Sequence, residues 1–187
     1  VGGGSAINGM GAIRGHPDDF DQEWAKITSD ESWGWKNVLG AYKKLECDPL
    51  YNDPKYTHFH GNNKDMIPIH RIEVNDWGPV AKAMKTGCMD TLGWEFTLDL
   101  NHPDSTGVSP FPMNMKNCDG NLVRVSTNDA YLDPARTLSS DGLLNHELTV
   151  RSDMLVNRVV FDKDGTRAVG VEVCDQRDGK TVIFCAS

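Results

Sequence analysis

Apolar positions along this chain recur at two spacings, and the change from one to the other predicts its elements. Phe20, Trp24 and Ile27 lie four and three residues apart, the spacing of one helical face, with Pro17, Asp18 and Asp19 suited to a first turn. Trp33-Gly34-Trp35 interrupts, and Lys36 to Glu46 predicts a second helix burying Val38, Leu39, Tyr42 and Leu45. Pro79 to Leu92 predicts a third, with Val80, Ala83, Met84, Cys88 and Leu92 as its stripe and Gly93 as its C-cap. Strand character begins at Met66 to Ile72, where Pro68 points to a sheet edge, and returns around 108–115 and 122–125 with Asp119-Gly120 as a hairpin turn. Ser126, Thr127 and Asn128 are suited to cap a helix that Pro134 shortens or kinks. The last fifth of the chain is rich in Val. There Leu148 to Val150, Met154 to Phe161, Ala168 to Cys174 and Thr181 to Phe184 predict a β-meander, turning at Asp164-Gly165 and Asp178-Gly179. Between Cys47 and Asn63 neither period holds, and a long surface loop of functional or mobile character is expected. The pattern is α+β, without internal repeat or clean linker.

Composition narrows the function classes. The 187 residues suffice for one ample domain or two small ones, and 39% apolar with 25% charged residues is ordinary for a globular chain. A net charge of −8 without clustered Lys and Arg argues against nucleic acid as a partner. No apolar run approaches the ~20 residues of a membrane span. The five cysteines are scattered and never in a C-x-x-C pair, so they are expected as reduced thiols, which favours an intracellular setting.

Candidate chemistry concentrates at the beginning. Val1-Gly-Gly-Gly-Ser-Ala-Ile-Asn-Gly-Met10 can bend tightly and aim several N–H groups into one space, as in a cradle for an anion or a flat polar ring, or it can serve as a turn or linker. His58-x-His60, with Cys47 before and His70 after, brings zinc ligands to mind, but the spacing matches no regular site. These are expected to be solvated surface histidines, and no metal is expected. Asp18 and Asp19 read as helix-capping groups, Trp33 and Trp35 as packing at a helix junction. No G-x-S-x-G and no low-pKa cysteine setting indicates a nucleophilic enzyme.

Taken in order, Gly2-Gly-Gly-Ser-Ala-Ile-Asn-Gly9, Arg14-Gly-His-Pro17, Trp33-Gly-Trp35, Ser126-Thr-Asn-Asp-Ala-Tyr-Leu-Asp-Pro134 and Arg167-Ala-Val-Gly-Val-Glu172 resemble the glucose-methanol-choline (GMC) family of flavin oxidoreductases nearly end to end. Asp104-Ser-Thr-Gly-Val-Ser-Pro-Phe-Pro112 is similar to its glucose oxidase branch, and the Arg14 stretch is shared with choline dehydrogenases. The resemblance implies part of an FAD-binding α/β domain plus part of an antiparallel-sheet substrate domain. Residues 1–35 would supply the flavin-contacting loop and first helix, 36–147 mostly the substrate-binding domain, and 148–187 the β-meander of the FAD-binding domain. It implies cofactor contacts from Gly3, Gly4, Ser5, Asn8, Gly9 and Gly11, with Asn8 both donating and accepting at a ring edge, and one more from the backbone of Val156. Many members carry Ser where this chain has Gly4, and members with covalent FAD carry His where it has Ile7, so non-covalent FAD is expected.

The implied activity is oxidation of a small-molecule alcohol by hydride transfer to FAD, with oxygen or another electron acceptor closing the cycle. An FAD-containing lyase of the same family and a non-enzymatic α+β ligand-binding module are the alternatives. The family's G-x-G-x-x-G turn and catalytic histidine are expected outside this chain, which reads as an internal fragment, inactive alone.

Overall fold

The computed structural model describes residues 1–136 and 148–186. They fall in two compact units, Val1–Thr137 and Leu138–Ser187.

In the first unit the chain opens on a 3-10 turn, Gly3–Ala6, and then enters its first helix through a wide π turn, Asp19–Trp24, which runs into α1, Ala25–Thr28. That wide turn breaks the expected stripe, because a π turn takes more than 3.6 residues. Phe20 packs against Trp35 and Tyr42 at ring separations of 5.7 and 6.2 Å, while Trp24 and Ile27 stay 51% and 78% exposed. Helix α2 spans Trp35–Leu45, and α3 spans Pro79–Leu92 with Pro at its first position. Gly93 closes α3 in the left-handed region at φ 68°. After Ser126, whose N–H and hydroxyl both bond Asp129 Oδ2, a second π turn, Asn128–Leu132, leads into α4, Asp133–Arg136.

The unit's sheet runs β1 (Glu46–Cys47), β2 (Ile67–His70), β3 (Met113–Cys118) and β4 (Asn121–Arg124), in that spatial order. β1 pairs parallel with β2; the other pairs are antiparallel. Asp119 and Gly120 make the expected hairpin, both at positive φ (52° and 86°). Contrary to expectation, Pro68 is not on an edge strand, since β1 lies on one side of β2 and β3 on the other. It is accommodated because β1 is only two residues long and the β3 ladder begins at Ile69.

The second unit is a meander of β5 (Met154–Phe161), β6 (Ala168–Asp175) and β7 (Thr181–Cys185), turning at Gly165 and Gly179 as the sequence predicts. The expected short strand at 148–150 does not form. Val173 is buried, but the neighbours Val182 and Ile183, which point to opposite faces, are 40% and 54% exposed. Both faces of the sheet carry uncovered apolar side chains.

The stretch 47–63 is the main correction to the sequence reading. It begins as a 3-10 turn, Pro49–Asn52, capped by Asp48, and it ends in the interior: Tyr56 is 4% exposed and His60 is fully buried. His60 Nδ1 lies 3.0 Å from Glu46 Oε1 and 3.1 Å from Asp48 Oδ2, and Nε2 lies 2.8 Å from Asp99 Oδ2. Arg14 reaches Glu46 at 2.5 Å and donates to the Phe59 carbonyl at 2.7 Å. Arg71 grips both oxygens of Asp48, at 2.7 and 2.9 Å, and one of Asp99 at 3.3 Å. Three carboxylates thus face two guanidiniums, and only a protonated imidazole balances them. Burial alone pulls the imidazole pKa down, but the bonds from Asp48, Asp99 and Glu46 outweigh it and hold the group up at about 10. Burial likewise opposes ionisation of Asp48 and Asp99, yet His60 and Arg71 keep both carboxyls below their usual range.

The sign of the pH dependence follows from these directions. The contribution of His60 is complete below its unfolded value of 6.5 and is lost as pH rises towards about 10. That of Asp48 and Asp99 is present above 3.8 and lost as pH falls through and below it. Melting temperatures of the full-length protein should therefore decline on both sides of this window. His60→Gln should cost about 3–5 kcal/mol at neutral pH, because it leaves buried carboxylates uncompensated, and should flatten the alkaline limb.

Candidate functional site

The glycine-rich beginning is seated on the segment that follows β4. Gly2 sits at φ 94°, and a Cβ there would come 3.2 Å from Ser126 Oγ and 3.3 Å from Asn128 Cβ, so only glycine fits this close approach. The Ser5 hydroxyl donates to Gly2 O at 2.5 Å and accepts from the Thr127 N–H at 2.9 Å. Arg124 completes the fastening: Nη1 donates to Ser5 O (3.0 Å) and Asn8 Oδ1 (2.8 Å), and Nη2 to Asn8 O (2.7 Å). Beyond the loop the chain runs beside β3, with Asn114 N–H donating to Met10 O and Ala12 N–H to Pro112 O. Asn101 then ties it to the buried ionic cluster, accepting from the Arg14 N–H and donating to Ala12 O, while its own N–H reaches Asp99.

The opposite side of the loop is open. A Cβ at Gly3, Gly4 or Gly9 would have no atom within 4 Å. The N–H groups of Gly3 and Gly4 precede the first i→i+3 bond of their turn and have no partner within it. Gly11 differs, since its Cβ would fall 2.9 Å from the Phe111 ring, and its backbone forms a bridge with Met113. A cavity of about 220 Å³ beneath the loop is lined by Ser5, Asn8, Gly11, Arg14, Tyr42 and Asn114. Phe111 and Met113 also line a larger apolar cavity of about 570 Å³, with Trp77, Met84, Cys88 and Trp94.

The fold therefore keeps Gly3, Gly4, Ser5, Asn8 and Gly9 in one loop, with Gly11 just beyond it on the run beside β3. Val156 belongs to the other unit, half-exposed on β5 beside a bulge at residue 157, on a groove shared with Arg151, Val173 and Phe184. Asn8 does not keep the double role expected of it: its Oδ1 is taken by Arg124 and by the Met10 N–H at 3.0 Å, which leaves its NH2 as the free end. What the loop offers is the N–H groups of Gly3 and Gly4 and the NH2 of Asn8, with a guanidinium fastening it from behind. That chemistry suits an anion or an acceptor-rich ring.

Sequence reasoning missed His60 and Arg124. For His60 no local signal existed: Glu46 ends up on β1 and Asp48 just past it as the cap of the next turn, and both meet the imidazole only in the folded chain. Atoms of Glu46, Asp48 and His60 converge closely enough to suggest a metal centre. Their oxygens, however, already serve Arg14 and Arg71, so the group is built as an ion-pair cluster.

A family model described as GMC oxidoreductase matches residues 1–187. Glucose dehydrogenase (FAD, quinone) of Drosophila pseudoobscura pseudoobscura is 32% identical over 177 residues, covering 94% of this chain and 25% of that protein. An oxygen-dependent choline dehydrogenase of Escherichia coli is 32% identical over 173 residues, covering 92% of this chain and 27% of its own length. The crystal structure of pyridoxine 4-oxidase from Mesorbium loti superposes with a TM-score of 0.77 at 28% identity, over 97% of this chain and 31% of that one. The chain thus spans under a third of the length of these relatives.

Two glycines of the loop should respond oppositely to an added methyl. Gly4→Ala, with open space around it, should leave the melting temperature of the flavin-free full-length protein unchanged, whereas Gly11→Ala should lower it through overlap with the Phe111 ring, by about 1 kcal/mol of stability.

Proposed function

This chain belongs to the glucose-methanol-choline (GMC) oxidoreductase family, and on that basis we propose that it forms the flavin-contacting part of an enzyme that oxidises an alcohol. FAD is the cofactor that membership implies. The observation that carries the reading is the two-sided loop: fastened along one side by Ser5, Thr127 and Arg124, and bare along the other at Gly3, Gly4 and Gly9.

The residues present fit the group. Open glycines let main-chain nitrogens come within reach of phosphate oxygens or the ring, and Arg124 has no carboxylate partner among the described residues, so its charge remains available to an anion. Gly3, Gly4 and Gly9 make the close backbone approach and Asn8 donates through its NH2. Ser5 holds the loop's curvature, and Gly11 lets the chain pass under Phe111. The backbone of Val156, in the second unit, is a further cofactor contact in this reading. Ile7, 85% exposed and purely hydrocarbon, offers no atom for a covalent bond to the flavin. In this reading residues 1–35 and 148–187 belong to the FAD-holding part and 36–147 mostly to the substrate side.

FAD, when bound, supplies the two-electron acceptor for the hydride that leaves the alcohol carbon as the carbonyl forms. The hydroxyl proton passes to a histidine contributed by the length of protein that this chain does not span, and oxygen or another acceptor takes the electrons. The stretch 99–115, which lines the larger cavity through Leu100, Phe111 and Met113, faces the alcohol. No helix among the described residues is long and apolar enough to cross a membrane.

The test uses the full-length protein. It should be yellow, lose its blue absorbance anaerobically on addition of an oxidisable alcohol, and release all of its flavin into the supernatant on acid precipitation. A colourless protein would instead favour a non-enzymatic binding module. A yellow one that no alcohol bleaches would favour a flavin-containing lyase, and flavin retained in the precipitate would overturn the non-covalent reading.

A further inference from the structure

We propose that Arg124 is a positioning residue for the cofactor: by occupying Asn8 Oδ1 it fixes the amide so that Asn8 can only donate, and the group it meets is a hydrogen-bond acceptor. The inference rests on the flavin reading and goes one step past it, from which residues touch the ligand to which edge of the ligand they touch.

Four contacts carry it. An amide oxygen has two lone pairs, and both of those on Asn8 are used, by Arg124 Nη1 at 2.8 Å and by the Met10 N–H at 3.0 Å. Two donors converging on one atom settle which end of the amide is oxygen, since an NH2 there would face two hydrogens. The second guanidinium nitrogen holds Asn8 O at 2.7 Å, so the backbone and side chain of Asn8 are clamped by one planar fork. Nη1 also reaches Ser5 O at 3.0 Å, so the same fork spans the loop from its 3-10 turn to Asn8.

The consequence is a polarity of recognition. A flavin carbonyl, a ring nitrogen that lacks hydrogen, or a phosphate oxygen can accept from Asn8; the flavin N3–H cannot pair with it. Because Arg124 has no carboxylate partner among the described residues, the clamp also sets an uncompensated positive charge behind the amide. A lysine at this position would supply a point charge but could not hold Asn8 O and Asn8 Oδ1 through two arms of one plane.

Three variants of the full-length protein test this, each read by FAD affinity of the apoprotein, flavin reduction potential and apoprotein melting temperature. Arg124→Met should weaken FAD binding roughly 10- to 100-fold, the cost of releasing charge-assisted bonds, and Arg124→Lys should recover only part of it. Asn8→Asp keeps the side chain's shape and gives Arg124 a carboxylate to hold, so the apoprotein should melt no lower than the unmodified one. FAD should nevertheless bind more weakly, because the donor has become an acceptor. A lowered reduction potential in Asn8→Asp or Arg124→Met places the accepting atom on the ring, and an unchanged potential with weakened binding places it on a phosphate; both support the proposal. Undiminished FAD affinity in Asn8→Asp overturns it, also in the event that Arg124→Met does not fold. So does Arg124→Met that folds, binds FAD as tightly as before and keeps its potential. If the unmodified protein takes up no FAD at all, it is the flavin reading that fails, a result distinct from either of these.

Discussion

A fully buried imidazole held between three carboxylates is the constraint on which the first unit depends. His60 touches Glu46, Asp48 and Asp99, and Arg14 and Arg71 complete the balance, so one cluster joins the chain near residues 14, 46–48, 60, 71 and 99. Among the described residues of this unit the buried apolar set is modest: Ala25, Tyr56, Ile69, Val125 and Ala130, with Pro110 and Pro112 beside them. Buried polar groups rival it, with Glu46, Asp48, His60, Asp99, Asn101, Asn114 and Ser126 all enclosed. Such groups stabilise only when every member is paired, and removing one leaves the others stranded at low dielectric. They also specify geometry more sharply than an apolar contact does, because each bond has a direction.

That precision is passed to the glycine loop. Asp99 orients Asn101 through its N–H, Asn101 holds Ala12 and Arg14, and the strand-like run from Met10 to Ala12 lies against Pro112 and Asn114. From the other side Arg124 and Thr127 fasten Ser5 and Asn8. The loop is thus fixed at both its ends while its glycines stay bare, which is the arrangement a site needs when main-chain nitrogens are themselves the recognition groups. Preorganised donors cost little reordering when a ligand arrives.

Elsewhere the described residues leave much apolar surface uncovered. Both faces of the β5–β7 sheet, and Val80, Met84 and Leu92 on α3, are exposed well beyond what a self-contained domain leaves open. The relatives are more than three times as long as this chain.

Much of the secondary structure is determined locally and could be read from the sequence. Helix α3 runs from Pro79 to Leu92 with Gly93 in the left-handed region, and the Asp-Gly turns close their hairpins, because proline, glycine and periodic apolar residues restrict the backbone wherever they stand. The glycine loop was legible for the same reason, and the order of the motifs pointed to its family. The tertiary structure decided the rest. It took His60 out of the solvent and into a ring of carboxylates, made a π turn of an expected amphipathic stripe, and closed β2 on both sides around Pro68. It also set the Arg124 guanidinium on the Asn8 amide oxygen, from more than a hundred residues away in sequence. Those outcomes depend on which charges meet across long separations of chain, and no local preference of the backbone encodes such meetings.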